Sequence, residues 1–252
     1  MLMYQEERLK KIMEWLHEEE VLSNSDLMER LGISRDTARR DIVQLTQSGK
    51  AVRTHGGIAS MEFEIQVKDY VSRIDDNPEG KERIGREVVS HLRDKDVCFF
   101  DTSTHMQFVC RYLKQKVKVY THSLDNLERL AKVPQAEVHC LGGKLNRENH
   151  FFYGMDVWNK ISSMRFDVVI LGAAALHFDG IYFEDEEDAQ IKSLAAQRAD
   201  KVIVMADYKK FQRISRFKAI DLSKIDYLIT DKKLSAEWET NLKKESVVWK
   251  IV

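Results

Sequence analysis

The 252-residue sequence predicts an α/β protein in two parts: a small, mainly helical N-terminal module with a β-hairpin, then a larger, mostly parallel sheet covered by helices. Three observations predict this. Between Asn24 and Gly57, two short amphipathic segments separated by Gly32 lead into a glycine-ended hairpin. From Val97 onward, short apolar, β-branched or aromatic runs alternate with helical stretches, and strands apolar on both faces belong in a parallel sheet covered on both sides. Between the two regions lies the strongest turn cluster of the chain, Asp75-Asp76-Asn77-Pro78-Glu79-Gly80.

The first element is a helix over Tyr4 to Glu19, with Leu9, Ile12, Met13 and Leu16 on one stripe. Leu27 and Leu31 mark a second helix that Gly32 stops. Ser34 is suited to cap a third, because its hydroxyl can accept a free backbone N–H of the first turn. Ala38, Ile42 and Leu45 fall on one face of that helix and Gly49 ends it. Ala51 to Ile58 reads as a two-stranded wing turning at Gly56-Gly57, with Arg53 and His55 near its tip. A helix held down on one face that shows Arg35, Thr37, Arg39 and Arg40 on another has the chemistry of major-groove readout, since arginine grips guanine or phosphate in bidentate fashion. The expected contacts to double-stranded DNA are Ser34, Arg35, Thr37, Arg39, Arg40, Arg53 and His55, on a winged helix-turn-helix spanning residues 1–59.

Charge agrees with a local docking face. The whole chain carries a net charge of −1, whereas Arg35 to Arg53 holds five cations against two anions. Cys98, Cys110 and Cys140 sit among apolar residues without Cys-x-x-Cys spacing, which predicts core packing in a reducing compartment. Neither a signal peptide nor an apolar run of about 18 residues is visible, so a cytoplasmic protein without membrane contact is expected.

Residues 60–80 read as a linker, with a strand or helix expected within Glu62 to Val71. The second domain is 81–252. Ile84, Val88, Val89 and Leu92 mark its first helix. Strands are predicted at Val97–Phe100, Val117–Tyr120, Val138–Leu141, Val168–Leu171, Val202–Met205, Tyr227–Ile229 and Ser246–Val252. Helices are predicted at Met106–Leu113, Leu124–Ala131 and Ala189–Ala199. Most of the buried runs end in polar or small residues. In an open α/β sheet ligands bind outside the carboxyl ends of the strands, so these tails should converge on one crevice. Hydroxyls, glycine-flanked N–H groups and lysines suit phosphate, and aspartates suit sugar hydroxyls. The candidate ligand-binding residues are Asp101, Ser103, Thr104, His105, His122, Ser123, Gly142, Gly143, Lys192, Asp207 and Lys210.

The run Ser34, Thr37, Arg39-Arg40-Asp41, Leu45, Gly49, Arg53, His55-Gly56-Gly57 resembles the N-terminal module of the DeoR family of bacterial sugar-metabolism regulators, with Ala38 where that family usually has Ile. The resemblance continues through Ile84-Gly85, Asp101, Thr104, Thr121, Ser123, Gly142-Gly143, Gly154, Asp167, Leu171-Gly172-Ala173, Asp188 to Lys192, Ala206-Asp207, Lys210-Phe211 and Ile229-Thr230-Asp231. It implies a C-terminal domain related in fold to ribose-5-phosphate isomerase and CoA transferases. It further implies a homo-oligomeric repressor, dimer or tetramer, that a phosphorylated sugar releases from its operator, with no cofactor.

In the second domain, four positions depart from the family pattern. Ser103 stands where the first loop usually has Gly, His105 where it has a small hydroxyl residue, His122 where the second loop has Asn, and Asp188 where a Glu is usual. Two imidazoles entering the crevice point to altered ligand recognition rather than a metal. Asp188 and Lys192 are spaced for an i,i+4 ion pair, though both could face the ligand. Glu184 to Asp188 reads as a solvated loop. The alternative is a sugar-phosphate isomerase or transferase using Asp101, Asp207, Lys192 and Lys210 as acid and base groups; such an enzyme has no use for the winged module.

Overall fold

The computed structural model describes residues 3–19, 21–54, 56–61, 73 and 76–252; the strand or helix predicted within Glu62 to Val71 lies outside these. The chain divides into two compact units, Met1–Lys68 and Asp69–Val252.

The first unit runs α1 (Gln5–Glu19), β1 (Val21–Ser23), α2 (Asn24–Leu31), α3 (Arg35–Gln47), β2 (Ala51–Arg53) and β3 (Gly57–Ser60). Ser23 and Asp26 form a reciprocal capping box at the start of α2: the Asp26 N–H donates to Ser23 Oγ at 3.0 Å and the Ser23 N–H to Asp26 Oδ2 at 2.8 Å. Gly32 closes α2 with φ 63°, where a Cβ would be strained. Ser34 caps α3, accepting from the Thr37 N–H at 3.3 Å. The stripes predicted on the three helices meet in one small core of Ile12, Leu16, Leu27, Ala38, Ile42 and Leu45, closed by Leu22, Ala51 and Ile58 from the strands. The wing is three-stranded, in the order β1-β3-β2, where the sequence predicts two strands. Three-residue β1 is too short to show an alternating pattern, and only its antiparallel pairing with β3 defines it.

The second unit is built on seven strands in the order β15-β14-β12-β9-β4-β5-β6, all paired in parallel. They are β4 (Val97–Phe100), β5 (Val117–Thr121), β6 (Ala136–Cys140), β9 (Val168–Gly172), β12 (Val202–Met205), β14 (Tyr227–Thr230) and β15 (Val248–Ile251), the seven runs that the sequence predicts, with ends shifted by up to two residues. Alternate side chains serve opposite faces. Phe99, Val169, Leu171, Val202 and Val204 face a core covered by α7 (Met155–Ser162) and α8 (Glu186–Gln197). Cys98, Phe100, Val168, Ile170, Ile203 and Met205 face a second core covered by α4 (Pro78–Val89), α5 (Met106–Tyr112) and α6 (Leu124–Leu130).

Three features differ from expectation. Helix α4 begins at Pro78, inside the predicted linker: Asn77 at φ 53° accepts from the Gly80 N–H, and Pro78 takes the first helical position, where its missing N–H costs nothing. The residues that punctuate a turn are here a helix start. Cys140 is exposed, because β6 is an edge strand with a single neighbour, while Cys98 and Cys110 are buried as expected. Several small elements were not anticipated: the hairpin of β7 (Lys144–Asn146) and β8 (Phe151–Tyr153), the antiparallel sheet of β10 (Ala175–His177), β11 (Gly180–Phe183) and β13 (Phe217–Ile220), and helices α7 and α9 (Ala236–Lys244).

The strand order fixes where a ligand can enter. From β4 the chain moves outward to β5 and β6, then returns to lay β9 on the other side of β4 and continues to β12, β14 and β15. The order reverses between β4 and β9. At such a switch point the two loops leaving the strands diverge to opposite faces and open a crevice at their carboxyl ends.

Candidate nucleic-acid interface and ligand cleft

In the first unit, Asp41 is fully buried although it follows two exposed arginines. Arg8 of α1 grips it through Nε at 2.7 Å and Nη2 at 3.0 Å, and the Gln5 amide adds a third donor at 3.1 Å. The aspartate thus ties α1 to α3, while Arg39 and Arg40 point away from the core and border a shallow groove with Gln5, Asp36, Val43, Gln44 and Gln47. Arg35 and Arg53 are exposed, Thr37 is half-buried, and Ser34 is engaged as the cap. His55 lies outside the described residues. Gln44 and Gln47, not among the residues expected at this face, lie on the same helix beyond the arginines, and amides of this kind suit an adenine edge.

In the second unit, a narrow cleft of about 60 Å³, partly open to solvent, lies at the switch point. Its walls are the Thr102–His105 loop after β4, Gly172–Ala174 after β9, Phe183 to Asp185 ahead of α8, Asp188 and Lys192 of α8, and Lys210 after β12. Arg73, Asn149 and Phe151 complete it. The loop after β4 fits because position 172 is glycine: a Cβ there would stand 2.4 Å from Ser103 Oγ and 2.7 Å from Ser103 Cβ. Ser103 Oγ also accepts from the His105 N–H at 3.3 Å, fixing the turn.

Of the predicted ligand residues, Ser103, Thr104, His105, Lys192 and Lys210 line this cleft. The others do not, each for a structural reason. Asp101 lies beneath the floor, accepting from the Gly172 N–H at 2.8 Å and facing Lys192 Nζ at 3.2 Å. Ser123 is buried as the cap of α6. Gly142 and Gly143 have φ 75° and 98°, and a Cβ on Gly143 would meet the Tyr153 carbonyl at 2.4 Å, so this pair serves the turn into the β7–β8 hairpin. Asp207 caps the 3-10 turn Tyr208–Gln212 by accepting from the Lys209 N–H at 3.0 Å. His122 stands behind the wall, so one imidazole enters the cleft, not two. Asp188, expected in a solvated loop, is buried within α8.

Charge is arranged in two groups. On the α8 side of the cleft, Lys192 Nζ contacts Asp188 Oδ2 at 2.7 Å as well as Asp101, and packs 3.9 Å from the Phe183 ring centroid. Burial opposes the lysine's charge, but the two carboxylates outweigh it and hold its pKa above the ordinary lysine value. Burial raises Asp101 above the carboxylate range against the pull of Lys192, whereas Lys192 and His122 outweigh burial at Asp188 and hold it below that range. Toward the other end, burial first and Arg213 second push Lys210 down to about 7, with Asp207 opposing and Arg73 and Lys81 adding to the shift. Burial, with Lys210 and Lys81 nearby, holds His105 far below the ordinary histidine value, so its ring is neutral at pH 7. Its Nε2 is buried without a hydrogen-bond partner, with Asp207 Oδ2 3.8 Å away. No group of three or more His, Cys, Asp or Glu side chains is set to hold a metal among the described residues. No helix among them is long and apolar enough to cross a membrane.

A cationic helix on a small winged module, joined in one chain to an α/β unit with a polar cleft at its switch point, defines a ligand-responsive DNA-binding regulator. The family model described as the DeoR C terminal sensor domain matches residues 76–232, and that of the DeoR-like helix-turn-helix domain matches 8–64. The chain belongs to the DeoR family of transcriptional regulators. It is 35% identical over 231 residues to the HTH-type transcriptional repressor GlcR of Bacillus subtilis (strain 168), covering 91% of this chain and 90% of that one. It is 26% identical over 232 residues to the glycerol-3-phosphate regulon repressor of Escherichia coli (strain K12), covering 91% and 92%. Among solved structures, the full-length sorbitol operon regulator SorC from Klebsiella pneumoniae is similar over 94% of this chain and 97% of its own, at 12% identity and a TM-score of 0.43.

Proposed function

We propose that this regulator is a cytoplasmic repressor of sugar-metabolism genes that binds its operator as a dimer or tetramer and lets go when a phosphorylated sugar fills the cleft between β4 and β9. One observation carries the effector class. Lys210 reaches a cleft where burial and neighbouring cations disfavour its charge, and a phosphate against Lys210, Ser103 and Thr104 relieves that penalty. Two relatives are named repressors, and one of those names refers to a glycerol-3-phosphate regulon. Release follows from linkage: an effector that binds the two arrangements unequally lowers operator affinity by the same coupling, typically about 1–3 kcal/mol.

We further infer that the cleft binds without turnover. Of the four candidate acid–base groups, Asp101 and Lys192 are committed to buried ion pairs in one cluster with Asp188, Asp207 caps the 3-10 turn, and Lys210 is assigned to the anion. The test is a DNA duplex selected from a random library, titrated by fluorescence anisotropy with and without sugar phosphates, alongside an assay for product. Release of duplex by a sugar phosphate with no product formed is the expected outcome. Unchanged duplex binding across the panel would refute the effector class, and a formed product would refute the sensor.

A further inference from the structure

Two departures from the family pattern, His122 and Asp188, lie 66 positions apart in sequence and touch in the fold. His122 Nε2 is 3.1 Å from Asp188 Oδ1 and 3.3 Å from Thr102 Oγ1. The ring is fully buried, stacked on Phe99 at 5.4 Å between centroids and edge-on to Phe151 at 5.9 Å. Thr102, Phe151 and Asp188 all line the cleft, whereas His122 does not. One imidazole therefore backs three residues of the wall. The hydrogen-bond network places one proton: Nε2 faces a carboxylate, which can only accept, so Nε2 carries hydrogen and donates to Asp188, while Nδ1 has no hydrogen-bond partner.

Asp188 is thereby fixed at both oxygens, by His122 at Oδ1 and by Lys192 at Oδ2. A carboxylate oxygen that has taken one donor can accept another.

We propose that His122 and Asp188 form one recognition unit, in which Asp188 accepts a hydrogen bond from a hydroxyl of the bound sugar phosphate and His122 is the positioning residue that aims it. The unit reads the polyol part of the ligand, while Lys210 and the Ser103–Thr104 turn take the anion. The inference rests on the effector class proposed above.

The test uses the full-length protein and calorimetric titration with inorganic phosphate, glucose 6-phosphate, and its C2 and C4 epimers mannose 6-phosphate and galactose 6-phosphate. Wild type is expected to rank the epimers. His122→Ala should flatten that ranking by about tenfold, the effect of one misdirected hydrogen bond in a site built to receive a hydroxyl, and leave inorganic phosphate within about twofold. His122→Gln, whose amide can still donate to Asp188, should keep the ranking, and it carries the test if His122→Ala does not fold. The paired exchange His122→Asn with Asp188→Glu should bind and produce a different ranking.

An unchanged epimer ranking in His122→Ala would overturn the proposal. So would equal weakening of every probe, inorganic phosphate included, because that is the mark of a purely structural role. Wild type that binds inorganic phosphate but does not distinguish the sugars would overturn it and leave the anion end intact. Wild type that binds none of the probes would instead sink the effector class itself.

Discussion

Arg8 and Asp41 join α1 to α3 through a two-point ion pair at 2.7 and 3.0 Å, with the carboxylate fully buried. Removing Arg8 alone strands the buried carboxylate, which costs more than removing both partners together. Arg8→Ala should therefore speed hydrogen exchange of the α1 and α3 amides far more than the double variant Arg8→Met with Asp41→Leu. Equal exchange in both would show that the pair does not hold the helices together.

Arg39 and Arg40 stay exposed because Asp41 alone of the three turns inward. Arg39→Ala or Arg40→Ala should weaken a selected duplex by about 1–3 kcal/mol where it reads a base. Where it grips phosphate, all duplexes should weaken alike, and the slope of log affinity against log salt should fall by about 0.9 per lost contact. Anisotropy titrations at several salt concentrations separate the two cases. Wild-type affinity in both variants would remove α3 from the interface.

Lys210 gives a pH signature. Its pKa is about 7 in the folded protein against an ordinary 10.5. The unfolded chain therefore holds more protons between these values, and this residue's penalty on stability, full below about 7, lifts as the pH rises toward 10.5. Melting temperatures of the ligand-free protein should gain on those of Lys210→Met across that window. Phosphate binding has the opposite trend, since it needs the ammonium: affinity should fall above pH 7, with up to one proton taken up per ligand near pH 8. Titration calorimetry in buffers of different ionisation enthalpy measures that proton.

Gly172 and Ser103 should be coupled. A methyl at 172 lands on the Ser103 side chain, and overpacking of this kind costs about 1–3 kcal/mol. Gly172→Ala should lower the melting temperature and weaken phosphate binding, and adding Ser103→Gly should restore both. A double-mutant cycle without coupling would mean that the loop after β4 relaxes freely.

Legibility in the sequence followed the length and symmetry of each signal. The strands of the seven-stranded sheet were visible because side chains on both faces of most of them are buried, so Val168–Leu171 and Val202–Met205 read as unbroken apolar runs. The elements that escaped are short or bury little: β7, β8 and β10 have three residues each, and α9 buries only Leu242 among the described residues. At the cleft, the loop after β4 was legible from its hydroxyls. The role of Asp101 was not, because an aspartate beneath a floor and one upon it have the same neighbours in sequence. Arg73, Asn149 and Phe151 gave no signal at all, since only the return of the chain to the switch point brings them together. His122 was noticed as a departure, but its partner was hidden 66 residues downstream.

The core of the winged unit contains nine buried side chains among the described residues, and none of them belongs to either core of the sheet. So small an interior sits near the lower limit of what holds a fold closed unaided. Operator DNA then acts on it as a folding ligand, adding resistance to heat in proportion to the logarithm of its concentration over Kd. On warming, the grip on the duplex would then be lost by fraying of the winged unit, with the two cores of the sheet still closed.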